Sequence, residues 1–229
     1  MPRLVLLPGM DGTGDLFAPF VQAIESHALT TVVRYSSPER RTYPECLAVA
    51  RQCLPENEPY ILVGESFSGP IAVWLAAESP SGLRGIVLVG SFVTSPTRTL
   101  TKLAPFVRML PTHMLLGWMR DFALLGAWAT PERSAQLSRV MTKVSPAATR
   151  TRLREIGTVD ASAALAGIRV RILYLRATHD RLVPRSAAEL IVSYAPHTRM
   201  VELNAPHMLL QCAPIECATA ILQFARECP

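Results

Sequence analysis

Six short, almost unbroken apolar runs recur along the chain: Leu4-Leu7, Thr31-Arg34, Tyr60-Val63, Gly85-Val89, Val170-Leu175 and Arg199-Leu203. Strands covered on both faces have no polar side to present, so their sequences lose the alternation of a half-exposed strand. Most segments between these runs are long enough for a helix. The pattern therefore implies an α/β fold, with a mostly parallel sheet of about six strands flanked by helices. At 229 residues the chain suffices for one sizeable domain with an insertion.

One interval breaks the rhythm. Roughly eighty residues separate Gly90 from Val170, too many for an ordinary crossover. After a Ser/Thr/Pro loop (Ser91 to Thr99), this interval carries apolar residues at helical spacings, among them Phe106, Met109, Met114, Trp118, Phe122, Leu125, Trp128, Leu137 and Met141. Residues 96–160 are expected to form a helical cap, inserted into a core made of residues 1–95 and 161–229. Most of these side chains are read as packing; Trp118 and Phe122, with Met10 and Phe67, are expected to wall a substrate pocket.

The turn Gly64-Glu65-Ser66-Phe67-Ser68-Gly69 lies between the run Tyr60-Val63 and the helix-like run Pro70-Leu75. A strand that turns sharply into a helix through Gly-x-Ser-x-small holds a serine hydroxyl clear of the backbone, as acyl transfer requires of a weak nucleophile. Ser66 then needs a base, an acid to orient the base, and donors for the developing oxyanion. In an open parallel sheet such groups collect after the C-terminal ends of strands. Of His27, His113, His179, His197 and His207, only His207 follows the last strand, and it is the expected base. Asp180 comes directly after the run Val170-Leu175, whereas the loop after Gly90 offers no carboxylate. Asp180 is therefore the expected acid, giving the order Ser, Asp, His.

The loop Leu7-Pro8-Gly9-Met10-Asp11-Gly12-Thr13-Gly14 lacks both the Lys-Ser/Thr ending of a phosphate-binding loop and the Gly-x-Gly-x-x-Gly spacing of a dinucleotide site. It is read as an oxyanion loop, with the backbone N–H of Met10 paired with that of Phe67. Asp11 is read as a cap on the helix beginning near Asp15, with shaping of the loop as the alternative.

The charge balance of +5 comes almost entirely from scattered arginines, with no basic run interleaved with aromatics, which argues against nucleic-acid binding. Arg133, Arg139, Arg150, Arg152 and Arg154 are read as a solvated face; gathered in one patch they could attract an acidic carrier protein or a carboxylated substrate. Five cysteines without a Cys-x-x-Cys pair suit reduced thiols. With no apolar run suited to a signal peptide or a membrane span, the expected location is the cytoplasm.

These residues together resemble the α/β-hydrolase superfamily across essentially the whole chain: the oxyanion loop Pro8-Gly9-Met10, the elbow Gly64 to Ser68, the acid motif Asp180-Arg-Leu-Val-Pro184 and the base motif Ala205-Pro206-His207. Within it the chain most resembles small capped carboxylesterases, including the pimeloyl-acyl-carrier-protein methyl ester esterase group. The resemblance implies a serine hydrolase for esters of small to medium apolar acyl or alcohol groups, without metal or organic cofactor, with a small-molecule ester or an acyl carrier protein as partner. The alternatives, behind the esterase, are a thioesterase, acyltransferase or carbon-carbon hydrolase on the same three residues and, last, a non-catalytic ligand-binding homologue. Three departures stand out. Ser68 occupies the elbow's usual last glycine, Pro8 stands where many relatives have histidine, and the family's first two strands have no counterpart. The implied sheet order, in the family's strand numbering, is 4-3-5-6-7-8.

Overall fold

The computed structural model describes residues 1–35, 41–56, 58–96 and 117–228. Six strands form one sheet: β1 (Arg3–Leu7), β2 (Leu29–Val32), β3 (Tyr60–Glu65), β4 (Leu83–Val89), β5 (Arg171–Ala177) and β6 (Thr198–Leu203). Their order is β2-β1-β3-β4-β5-β6 and every pairing is parallel. This is the expected 4-3-5-6-7-8 order with β1 in the place of the third strand.

The sheet explains the apolar runs. Leu4 and Leu6 of β1 face one side with Ile61, Val63, Val87 and Val89, against Phe20 and Ile24 of α1 (Ala18–Ile24) and Ile221 and Phe224 of α10 (Pro214–Glu227). Val5 and Leu7 face the other side with Leu62, Ile86 and Leu88. There they meet α2 (Tyr43–Gln52), α3 (Gly69–Ala77), α7 (Ser162–Ala166) and α8 (Arg185–Tyr194). Each such fully buried aliphatic side chain contributes about 1.5–3 kcal/mol, so β1, β3, β4 and β5 carry charged residues only near their ends. The edge strand β2 sits two residues earlier than its apolar run suggested. Val33 and Tyr35 are buried, but they have passed the last paired residue of the ladder.

Between β4 and β5 the described residues contain α4 (Gly117–Leu124), α5 (Pro131–Met141) and α6 (Pro146–Thr158). Thr130 and Ser145 cap the latter two, each side chain accepting the backbone N–H three residues on. Proline at the first or second position of α1, α2, α3, α5, α6 and α10 starts helices at no hydrogen-bond cost. Leu125, Leu137 and Val140 pack with Leu16 and Met208, a third apolar cluster that seats this segment on the core. An antiparallel bridge between Thr94 and Asp160 brings the chain back to where it left. Of the apolar residues expected there, Phe106, Met109 and Met114, with His113, lie outside the described residues. Among the described residues no helix is long and apolar enough to cross a membrane, and all five cysteines are free.

All strands point the same way, so the loops after their C-terminal ends share one rim. A short α9 (Leu209–Cys212) follows β6 there, and α10 then runs back to the opposite rim. At that far rim Arg199, at the start of β6, pairs with Glu227, and Cys228 lies against Gly85, near the start of β4.

Candidate active site

The elbow is built from close approach. Ser66 has φ +46, a left-handed conformation that only Ser66 and Ser79 adopt among the described non-glycine residues. Such a backbone costs on the order of 1–3 kcal/mol and survives only where the surroundings hold it. Here the Ser91 hydroxyl donates to the Ser66 carbonyl at 2.6 Å, and the Tyr174 hydroxyl in turn donates to the Ser91 carbonyl at 2.7 Å. The two glycines let strand and helix meet: a Cβ on Gly64 would stand 2.8 Å from the Ser68 carbonyl oxygen, and one on Gly69 only 1.7 Å from Ser91 Oγ. Ser68, in the usual glycine's place, is fully buried. It bonds the Tyr35 hydroxyl at 2.9 Å and donates to the Pro8 carbonyl.

The loops after β5 and β6 bring two further groups to Ser66. His207 Nε2 lies 2.9 Å from Ser66 Oγ, and His207 Nδ1 lies 2.8 Å from Asp180 Oδ2. Asp180 Oδ1 accepts the N–H groups of Leu182 and Val183 at 2.8 and 2.9 Å, which fixes the carboxylate. Burial alone would raise Asp180. The charge and hydrogen bond of His207, together with those two amides, hold it below the usual carboxylate range. Burial alone would lower His207, yet the charge and hydrogen bond of Asp180, with Glu65 behind, keep it above its ordinary value. A neutral imidazole that donates Nδ1–H to Asp180 leaves Nε2 free to accept a proton from the serine hydroxyl.

The loop after β1 passes beside the elbow. Phe67 lies in the first turn after Ser66, where a helix leaves its N–H groups without internal partners. Met10 N–H has no hydrogen-bond partner among the described residues. The rest of the loop is tied down. Gly12 N–H donates to the Gly9 carbonyl at 3.0 Å, and the Tyr35 N–H to the Gly12 carbonyl at 2.8 Å.

Two expectations need correction here. Asp11 does not cap the following helix: the cap position is Gly14, and Asp11 Oδ1 instead accepts both the N–H and the hydroxyl of Thr13, shaping the loop. The left-handed Gly14 (φ +74) turns the chain there, so no side chain was required at the cap. Arg152 is no part of a solvated face. It is fully buried, and its Nη1 donates to the carbonyls of Met10 and Asp11 at 2.7 and 2.8 Å. Ala148, Arg152 and Ile156 share one helical face, four residues apart, which is compatible with an inward arginine but does not mark one.

Sequence reasoning also missed Glu65. It is buried beneath the loop, accepts from Gln211 Nε2 at 2.9 Å, and is pushed up to about 7 by burial, against the lowering effect of Gln211 and the Gly9 amide. A carboxyl ending an apolar strand, next to the serine, was its visible sign. Of the expected pocket walls, the Phe67 ring is buried and stacked on Tyr43 at 4.4 Å, turned into the core. Trp118 and Phe122 stand exposed on α4, with Phe122 under the Arg181 guanidinium at 4.2 Å. Among the described residues no group of three or more His, Cys, Asp or Glu is arranged to hold a metal ion.

Residues 2–155 match a family model described as alpha/beta hydrolase fold. The chain is 26% identical over 193 residues to a pimeloyl-[acyl-carrier protein] methyl ester esterase from Aromatoleum aromaticum, a match covering 76% of this chain and 77% of that protein. It is 29% identical over 119 residues to phytyl ester synthase 1, chloroplastic, from Arabidopsis thaliana, which is 49% of this chain but only 17% of the plant protein. Among solved structures it is similar to a bromoperoxidase from Bacillus anthracis (TM-score 0.85, 16% identity, 98% of this chain and 92% of that one). It is also similar to the esterase EaEST from Exiguobacterium antarcticum (TM-score 0.81, 15% identity, 99% and 92%). At such identities the structures speak for the fold alone. The family model matches more than half of this chain, whose six parallel strands agree with that fold, and the chain belongs to the α/β-hydrolase family.

Proposed function

We propose that this protein is a serine hydrolase that cleaves carboxylic esters through an acyl-serine intermediate. The observation that carries the reading is the unbroken contact from the Ser66 hydroxyl through His207 to Asp180, at 2.9 and 2.8 Å. Ser66 Oγ attacks the ester carbonyl carbon while its proton passes to His207 Nε2, and Asp180 steadies the resulting imidazolium. The amides of Met10 and Phe67 hold the oxygen as it becomes negative. Collapse of the tetrahedral adduct expels the alcohol, which takes the proton from His207. Water, deprotonated by the same imidazole, then attacks the acyl-serine and releases the acid.

In this reading residues 96–160, with α4, α5 and α6 among the described residues, serve as a cap over the rim that holds Ser66 and admit apolar acyl or alcohol groups. Similarity to a methyl ester esterase favours an ester as substrate. Similarity to phytyl ester synthase 1 favours a second reading, in which an alcohol replaces water as acyl acceptor. Product analysis with and without added alcohol separates the two.

The test pairs a fluorophosphonate probe with p-nitrophenyl esters of graded acyl length. The wild type should be labelled at Ser66 and release p-nitrophenol. Ser66→Ala should lose both with an unchanged circular dichroism spectrum, its rate falling by roughly 10⁴-fold or more. Turnover retained in Ser66→Ala would overturn the assignment.

A further inference from the structure

We propose that Arg152 is a positioning residue that aims the Met10 amide, so that α6 sets the oxyanion geometry; this rests on the serine-hydrolase reading above. In a trans peptide the N–H points opposite to the preceding carbonyl. The direction of Met10 N–H is therefore fixed by the Gly9 carbonyl, which accepts from Gly12 N–H at 3.0 Å. Between those two ends, both backbone carbonyls are held by Arg152. Its Nη1 holds the carbonyls of Met10 and Asp11 at 2.7 and 2.8 Å, and its Nη2 reaches the Tyr35 carbonyl at 3.4 Å, the residue whose N–H grips Gly12.

Gly12 is made for this contact. Its φ is +70, and a Cβ there would stand 2.8 Å from both terminal nitrogens of Arg152. Nη1 spends its two hydrogens on the two successive carbonyls while Nη2 reaches Tyr35; a lysine ammonium would have to serve all three from one nitrogen, without the planar spacing. Nor does α6 stop at one half of the site. Glu155, three residues on, accepts the Tyr43 N–H at 2.7 Å, and Tyr43 stacks on Phe67, the residue bearing the other proposed oxyanion donor. One helix thus holds the loop directly and reaches the Phe67 ring through Tyr43.

The test compares Arg152→Met and Arg152→Lys with the wild type on a p-nitrophenyl ester and on the matching thionoester, whose sulfur gains little from an oxyanion hole. Arg152→Met should lose about 10²-fold in kcat on the ester, with KM nearly unchanged and a much smaller loss on the thionoester. Arg152→Lys should recover part of that loss. If the thionoester and ester fall together, or a folded Arg152→Met keeps wild-type kcat, the proposal is overturned. Should Arg152→Met fail to fold, Arg152→Lys is judged by the same ester-to-thionoester ratio. A wild type that neither turns over esters nor takes the fluorophosphonate would defeat the hydrolase reading instead. Amide exchange at residues 9–12 then decides for Arg152: faster exchange in the variant upholds the clamp, and unchanged exchange overturns it.

Discussion

The elbow and the loop after β1 lie side by side, yet they draw on outside support to different degrees. The elbow is shaped first by its own sequence: Gly64 and Gly69 allow strand and helix to meet, Ser66 takes the turn between them, and one outside chain of hydroxyls, Ser91 backed by Tyr174, steadies it. The loop is made by side chains from elsewhere. Ser68 takes the Pro8 carbonyl, and Arg152 takes those of Met10 and Asp11 from more than a hundred residues away. Local chemistry does most of the shaping where a chain must bend sharply. Where a donor must be aimed at a point in space, orientation is supplied from outside.

The largest expected effect touches neither region and so serves as their reference. Asp180→Asn should leave the fold in place while lowering kcat by about 10⁴-fold, because an amide can donate to His207 and favours the wrong tautomer. Rates measured across pH would check this. The wild type should gain activity as the pH rises through a His207 value above the ordinary 6.5, since the imidazole must be neutral to act as base. A loss of less than tenfold in the variant would remove Asp180 from the proton path.

Gly69→Ala should break the elbow from within. Its new methyl would overlap Ser91 Oγ at 1.7 Å and Ser91 Cβ at 2.7 Å, which a packed core can relieve only by moving strand or helix. We expect a destabilisation of roughly 3 kcal/mol, read from the urea midpoint, together with lost activity. If the variant were as stable as the wild type, the elbow would not be the rigid partner in the comparison.

Glu65→Gln sharpens the contrast where the two regions touch. The Glu65 carboxyl is raised from 4.5 to about 7 in the folded protein, chiefly by burial. The folded state therefore keeps its proton over a range in which the unfolded chain has lost it. That stabilising term is complete below 4.5 and disappears as the pH climbs to about 7, a decline of up to about 3 kcal/mol. Glu65→Gln cannot ionise, so the difference in unfolding free energy between wild type and variant should fall across this window. A difference independent of pH would mean that Glu65 is not titrating beneath the loop.

The sheet was legible because burial on both faces leaves an apolar signature that needs no partner information. Ser66, His207 and Asp180 were legible for a related reason: each follows a strand, and the parallel topology delivers strand ends to one rim. Ser91, Arg152 and Glu65 were not. Their meaning lies in carbonyls and amides that the sequence does not mark, and a serine after β4 or an arginine on a helix has many uses. Asp11 failed in a narrower way. A short acid before a helix is a common cap, but a glycine in the left-handed conformation had already taken the turn.

The return of α10 to the rim away from Ser66 has a practical bearing. Met1 precedes β1 on that same far side, and Glu227 ends α10 there beside Arg199. Anything joined to the chain ahead of β1 or after α10 would leave from the face away from Ser66. Surface attachment through either end should therefore leave the mouth above Ser66 facing the solution.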